Sequence, residues 1–196
     1  MSRHRRGSAM LAHPRFHKGS IARAAAASAL LLLATLPTTA AKAATLDDLA
    51  EAEAALVAVW EELPLTFRTA TFVSERPVGF GVYEARETSV FAPGERLVVY
   101  AEPQGYLWEE TGDGRVVFGF DVDLLIKRPD GEIVGGRENF QRLALESRER
   151  NREFMLTLTL TLDGIRPGDY VLEYRARDIA SDKAGTIALP FTIAAE

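Results

Sequence analysis

Three groupings of side chains in this 196-residue chain have types and spacings that could do chemistry. Asp121 and Asp123 stand two apart in the alternating run Phe118-Gly119-Phe120-Asp121-Val122-Asp123-Leu124. As strand residues they would put both carboxylates on one face, about 7 Å apart. With Asp113 and Glu109 or Glu110 they would offer the oxygen donors that Ca²⁺ takes; the other reading is the solvated outer face of a half-buried strand. No stretch matches an EF-hand loop, and a carboxylate pair acting on glycosides would need a cleft that the sequence does not show. Tyr106 and Trp108 lie between Pro103-Gln104-Gly105 and the acidic, Gly-bearing run Glu109-Glu110-Thr111-Gly112-Asp113-Gly114. Strand alternation sends the two rings to one face, which is either the core or a platform on which sugars or a protein would stack. Ser181 and Lys183 are the one close Ser/Lys pair after residue 43. Penicillin-binding enzymes use Ser-x-x-Lys on a helix, whereas this pair is separated by one residue in a turn, so a polar turn is the expected reading.

Composition closes most other chemistries. The chain has no cysteine, and its three histidines (His4, His13, His17) all fall before residue 44. Residues 44–196 therefore cannot build a His or Cys metal site, a Cys nucleophile, a His-assisted Ser nucleophile or a disulfide. Residues 1–43 hold seven of the 23 basic residues and none of the 28 acidic ones, so residues 44–196 carry 16 against 28, a formal −12. That charge disfavours nucleic acid and anionic lipid as partners. Arg142, Arg148, Arg150 and Arg152 do not reverse it, because Glu146, Glu149 and Glu153 are interleaved with them. Gly135-Gly136 opens no helix and is no phosphate-binding loop.

The first 43 residues have the layout of a secretory signal peptide: a basic stretch, the apolar run Ala24–Leu36, then Ala41-Lys42-Ala43 with expected cleavage after Ala43. The apolar run is too short for a membrane span, and Met10 offers an alternative start. Arg5-Arg6 lacks the apolar pair of a twin-arginine signal, and no cysteine stands ready for lipidation. The expected location is periplasmic or secreted, with no membrane span once the leader is removed.

The elements that must position these residues follow from periodicity. Residues 45–63 read as one helix, with Thr45 as N-cap, Asp48 three residues on, and Pro64 as the stop. Leu49, Ala52, Leu56, Val59, Trp60 and Leu63 form an apolar stripe that either packs on the following domain or docks a partner. From Leu65 the period becomes two. Strands are expected at 65–74, 78–85, 96–102, 118–126, 139–146, 154–162, 169–177 and 185–193, separated by turns such as Pro129-Asp130-Gly131 and Pro167-Gly168-Asp169. Short strands without intervening helices predict an antiparallel sandwich. Pro190 predicts an edge or a bulge in the last strand.

Phe91-Ala92-Pro93-Gly94-Glu95, Pro167-Gly168-Asp169-Tyr170-Val171-Leu172, Arg177-Asp178 with Ser181-Asp182-Lys183, and Leu189-Pro190-Phe191-Thr192-Ile193 together resemble the closing half of immunoglobulin-like β-sandwich domains of exported bacterial proteins, over roughly residues 88–193. The resemblance implies that Tyr170 is a tyrosine-corner residue, its ring buried and its hydroxyl bonded to nearby backbone. The cysteine pair of antibody domains is missing, so architecture alone carries over. The expectation is a mainly β protein: a signal peptide (1–43), an N-terminal amphipathic helix (44–64) and an antiparallel immunoglobulin-like β-sandwich (65–196). It is expected to be non-catalytic, to need no cofactor and to act through a protein partner. A carbohydrate-binding module using Tyr106 and Trp108, and a calcium-stabilised domain using Asp121 and Asp123, are the alternatives.

Overall fold

A computed structural model describes residues 43–195; of the expected leader, all but Ala43 lies outside the described residues. One helix, α1 (Leu46–Glu62), precedes nine strands: β1 (Thr66–Phe72), β2 (Val90–Phe91), β3 (Arg96–Gln104), β4 (Glu109–Glu110), β5 (Val116–Lys127), β6 (Ile133–Ser147), β7 (Leu156–Thr161), β8 (Gly168–Asp178) and β9 (Ala184–Ile193). The helix starts where its cap predicts. The Thr45 side chain accepts from the Asp48 N–H at 3.2 Å, and the Asp48 carboxylate accepts from the Thr45 N–H at 2.7 Å. Leu63 turns extended ahead of Pro64, and its N–H closes onto the Trp60 carbonyl.

The strands form two sheets around one apolar core. β1, β3 and β7 make the smaller sheet, with β3 in the middle. In the larger the order is β2-β9-β8-β5, with β6 along the far side of β5 and β4 beside its first two residues. Alternation decides which residues go inside. Phe118, Phe120, Val122, Leu124 and Ile126 of β5 are buried against Leu97, Val99 and Leu158 of the smaller sheet, while Asp121 and Asp123 face out. The pairing of β2 with β9 is parallel, which corrects the expected wholly antiparallel pattern at that edge; the chain re-enters there after the long loop 73–89. Pro190 lies where β9 has β8 on one side and β2 has not yet begun on the other, so its missing N–H removes no ladder bond on the free side. Tyr170 is buried and its hydroxyl donates to the Arg166 carbonyl at 2.7 Å, the arrangement expected of it.

The strand expected at 78–85 is absent. Gly81 has φ +71°, which takes the chain out of extended backbone, and only two isolated bridges form, Val73 with Ala85 and Gly79 with Val82. This segment is instead a flap over the outer face of the smaller sheet. The Tyr83 ring stacks on Tyr100 at 4.1 Å, and the Gly81 N–H donates to the Tyr100 hydroxyl at 2.7 Å. As a result β3 is buried on both faces: Leu97, Val99 and Ala101 enter the main core, and Val98 and Tyr100 enter a second cluster under the flap.

Helix α1 is joined to one end of the sandwich through its last turn. Trp60 is the one buried residue of the helix; it meets Tyr106 edge-on at 5.3 Å and stacks on Trp108 at 6.0 Å. Its indole N–H donates to the Tyr106 carbonyl at 2.8 Å. The Lys183 ammonium donates to the carbonyls of Glu61, Leu63 and Gly105 at 2.6–2.7 Å, which satisfies the open C-terminal end of the helix with a cation. Gly105 has φ +81°, and a Cβ there would lie 2.5 Å from the Pro64 carbonyl oxygen, so only glycine allows the helix end to sit so close. Replacing Trp60 with Ala should therefore cost about 3–5 kcal/mol in chemical denaturation. Lys183→Met should cost about 1–2 kcal/mol through the lost charged hydrogen bonds. A Trp60→Ala protein as stable as the parent would show that the helix is not held in this way.

Candidate functional site

The aromatic pair singled out in the sequence lies inside the molecule. Tyr106 is fully buried and Trp108 nearly so, so of the two readings the core holds and the alternative of a stacking platform is corrected. The cause is α1: Trp60 covers both rings from above, while Phe118 stacks on Tyr106 at 5.7 Å from below. A single carbonyl, that of Asn151, accepts both the Tyr106 hydroxyl at 2.8 Å and the Trp108 indole N–H at 3.1 Å, so both polar atoms are satisfied. Burial pushes the Tyr106 phenol above its ordinary range; the Arg152 charge opposes the rise and the Asp178 charge adds to it.

The calcium site expected of Asp121 and Asp123 is not assembled. Asp121 pairs with Arg142 at 2.9 Å across the β5–β6 register. Asp123 accepts from Arg177 at 3.0 Å and from the Asn139 N–H at 2.9 Å. Two of the other proposed ligands are taken as well: Asp113 pairs with Arg115 and Glu110 with Arg150, each at 3.1 Å. Among the described residues no three acidic side chains converge as a metal ion would need. Of the two readings, the outer face of a half-buried strand holds and the oxygen cluster does not: the aspartates belong to a cross-strand ladder of ion pairs, continued by Lys127 with Glu173 at 2.7 Å.

Ser181 and Lys183 also have structural work. The Ser181 hydroxyl donates to the buried Asp178 carboxylate, which further accepts from the N–H groups of Leu107 at 2.9 Å and Ala180 at 3.0 Å. Lys183 points away from the serine, to the end of α1. Asp178 thus holds the β8–β9 turn against the loop before β4, and Lys183 holds α1 against both.

One ionic group escaped notice in the sequence. Glu102 is buried on the outer side of β3, where Arg68 donates to its carboxylate through both Nε, at 2.7 Å, and Nη2, and the Tyr100 hydroxyl donates to it at 2.6 Å. Desolvation, then the Glu102 hydrogen bond, push the Tyr100 phenol up to about 12. The only sequence signal was a strand whose polar side carried Tyr100 and Glu102 in succession; their burial depends on the flap.

The feature left over is the outer side of α1. Leu49 is 55 % exposed, Leu56 47 %, Val59 62 % and Leu63 38 %, so apart from Trp60 the apolar stripe does not pack on the sandwich. The side of the helix that faces the body carries Ala54, Val57 and Ala58 instead. It borders a groove of roughly 830 Å³ whose opposite wall includes Glu110, Arg148 and Arg152. Arg150 spans the groove mouth, reaching Glu61 at 3.3 Å and Glu110 at 3.1 Å. No described helix is long and apolar enough to cross a membrane. The chain matches no protein-family model, and no curated protein matches it either.

Two outcomes follow from these placements. Because Asp121 and Asp123 are already neutralised by arginine, a chelator should leave the melting temperature unchanged; a fall would restore the calcium reading. Tyr100 has a folded pKa raised above its unfolded value, so its contribution to stability is complete below about pH 10 and is lost as pH rises toward about 12. Tyr106 and Tyr174 are raised in the same direction by burial. A titration of tyrosinate absorbance should show these three ionising late, together with loss of the fold; early ionisation of these three in a folded protein would contradict the packing.

Proposed function

We propose that this chain is an exported, non-catalytic protein of the bacterial envelope, built on an immunoglobulin-like sandwich, that acts by protein–protein contact. The observation that carries the reading is the stripe of Leu49, Leu56, Val59 and Leu63 on α1, turned to solvent while the same helix is fixed to the body by Trp60 and Lys183. Fully burying one such side chain is worth roughly 1.5–3 kcal/mol, so a helix that leaves several in water keeps a binding surface in reserve.

Other observations support parts of the reading. The layout of residues 1–43 supports export. The Tyr170 hydroxyl on the Arg166 carbonyl, the two sheets and the Pro-Gly-Asp-Tyr entry to β8 support immunoglobulin-like architecture. The non-catalytic part rests on residue supply: the Ser/Lys pair, the paired aspartates and the buried Glu102 are each engaged in contacts that hold the fold. The formal −12 of residues 44–196 favours a protein over nucleic acid or anionic lipid as partner.

A photo-crosslinking residue placed at Leu56, and separately at Val59, should form the same protein adduct in intact producing cells. One placed at Arg175, on the outer face of the larger sheet, should not. No adduct at either helix position, or substrate turnover by the purified protein, would overturn the reading.

A further inference from the structure

The exposed stripe is narrow and has a strict period. Leu49, Ala52, Leu56, Val59 and Leu63 follow one another at steps of three, four, three and four, and all five are exposed. At 100° per residue they span roughly 80° of arc, narrower than the apolar face of a helix that lies on a globular core and of the width of a coiled-coil seam. Leu49, Leu56 and Leu63 take the first apolar position of the heptad; Ala52 and Val59 take the second. The positions that flank such a seam hold Asp48, Ala55 and Glu62 on one side and Glu53 and Trp60 on the other. Trp60 is committed to the sandwich, and every charged flanking residue is acidic. Across the whole helix there are six acidic side chains and no basic one.

This charge pattern selects the occupant. A second copy of the chain would bring acidic flank against acidic flank in either helix direction, and like charges facing each other across a seam oppose pairing. A membrane surface suits a helix with Lys and Arg on its polar side, which α1 lacks. Resting on the protein-contact reading above, we propose that α1 is one half of a heterotypic coiled coil whose partner is an amphipathic helix of at least two heptads, apolar at the seam and carrying Lys or Arg at the positions flanking it. The seam from Leu49 to Leu63 is about 21 Å long, so the partner segment is short and the pairing is reversible. The clamp at Trp60 and Lys183 sits in the last turn and leaves the seam open along its length.

The test uses the protein purified from its producing cells and three labelled synthetic peptides of three heptads each. One has Leu at both seam positions and Lys at the flanks; one has Glu at the flanks; one has the Lys peptide's composition in scrambled order. The Lys-flanked peptide should bind one to one in fluorescence anisotropy, with a gain of helical circular dichroism. The Glu-flanked peptide should bind about tenfold more weakly or worse. The joint substitution Leu49→Ser and Leu56→Ser should abolish binding without lowering the melting temperature, and Glu53→Lys with Glu62→Lys should move the preference toward the Glu-flanked peptide. Equal binding of the scrambled peptide, wild-type binding by the Leu49→Ser, Leu56→Ser protein, sedimentation as a dimer through α1, or recruitment to phosphatidylglycerol vesicles would each overturn the proposal. If crosslinks form at Leu56 in cells while no heptad peptide binds, the coiled-coil partner is refuted and the protein-contact reading stands; if no crosslinks form, that reading falls first.

Discussion

The Trp60 indole leaves the last turn of α1 and enters the end of the sandwich, where it meets Tyr106 and Trp108 and gives its N–H to the Tyr106 carbonyl. That one insertion constrains most of what surrounds it. It places Glu61 and Leu63 so that their carbonyls, with that of Gly105, converge on Lys183. It requires a residue without a side chain at 105, where the Pro64 carbonyl passes. It also closes the ring surface that would otherwise have been open to a ligand. With its apolar contact and its cationic cap both in the final turn, the helix is held at one end, and the arc that carries Trp60 and Val57 faces the body. The arc of Leu49, Leu56, Val59 and Leu63 then has to face away.

Charge on the sandwich is spent locally. Asp121, Asp123 and Glu173 each meet a cation from a neighbouring strand or from a longer hairpin, and Arg86 combines an ion pair to Glu95 with a seat over the Phe91 ring at 4.3 Å. Such exposed pairs add little stability individually, but they fix strand register and leave few free groups for chemistry. Glu102 and Asp178 are the buried exceptions: Arg68 and Tyr100 donate to Glu102, and Ser181 and the N–H groups of Leu107 and Ala180 donate to Asp178. The flap reaches the Glu102 network through the Gly81 N–H, which donates to the Tyr100 hydroxyl that in turn donates to Glu102.

Strands with clean alternation were legible in the sequence: β5, β7, β8 and β9 lie within a few residues of where period two placed them, because each has one face on the core and one on solvent. The capping box at Thr45 was legible for the same local reason. What could not be read depended on distant residues. Val78, Phe80 and Val82 alternate as a strand would, yet no neighbour offers them a ladder, and Tyr100 draws the segment down as a flap. β6 begins at Ile133 rather than 139 and runs through Gly135-Gly136, where two residues without side chains leave no alternation to read. Gly136 is needed inside the strand, where a Cβ would come within 2.7 Å of Leu125 Cδ2. Tyr106 and Trp108 could be placed on one face, but whether that face was core or surface was decided by Trp60, some 46 residues before Tyr106.

The uneven charge of the chain is concentrated in the same helix. Of the formal −12 carried by residues 44–196, the six acids of α1 supply half in a single helix, and only Glu61 among them forms an ion pair with another described residue. An apolar seam in water invites self-association, and a sandwich with ordinary surface charge would not prevent it. Acidic flanks on both sides of the seam do, since two copies cannot approach through α1 without facing carboxylate to carboxylate. The Asp48 carboxyl is held below the usual carboxylate range by its bonds to Thr45, so the cap that starts the helix also keeps one of these charges in place. The negative charge of the helix thus opposes self-association through its exposed leucines and favours, over a second acidic helix, a surface of opposite sign.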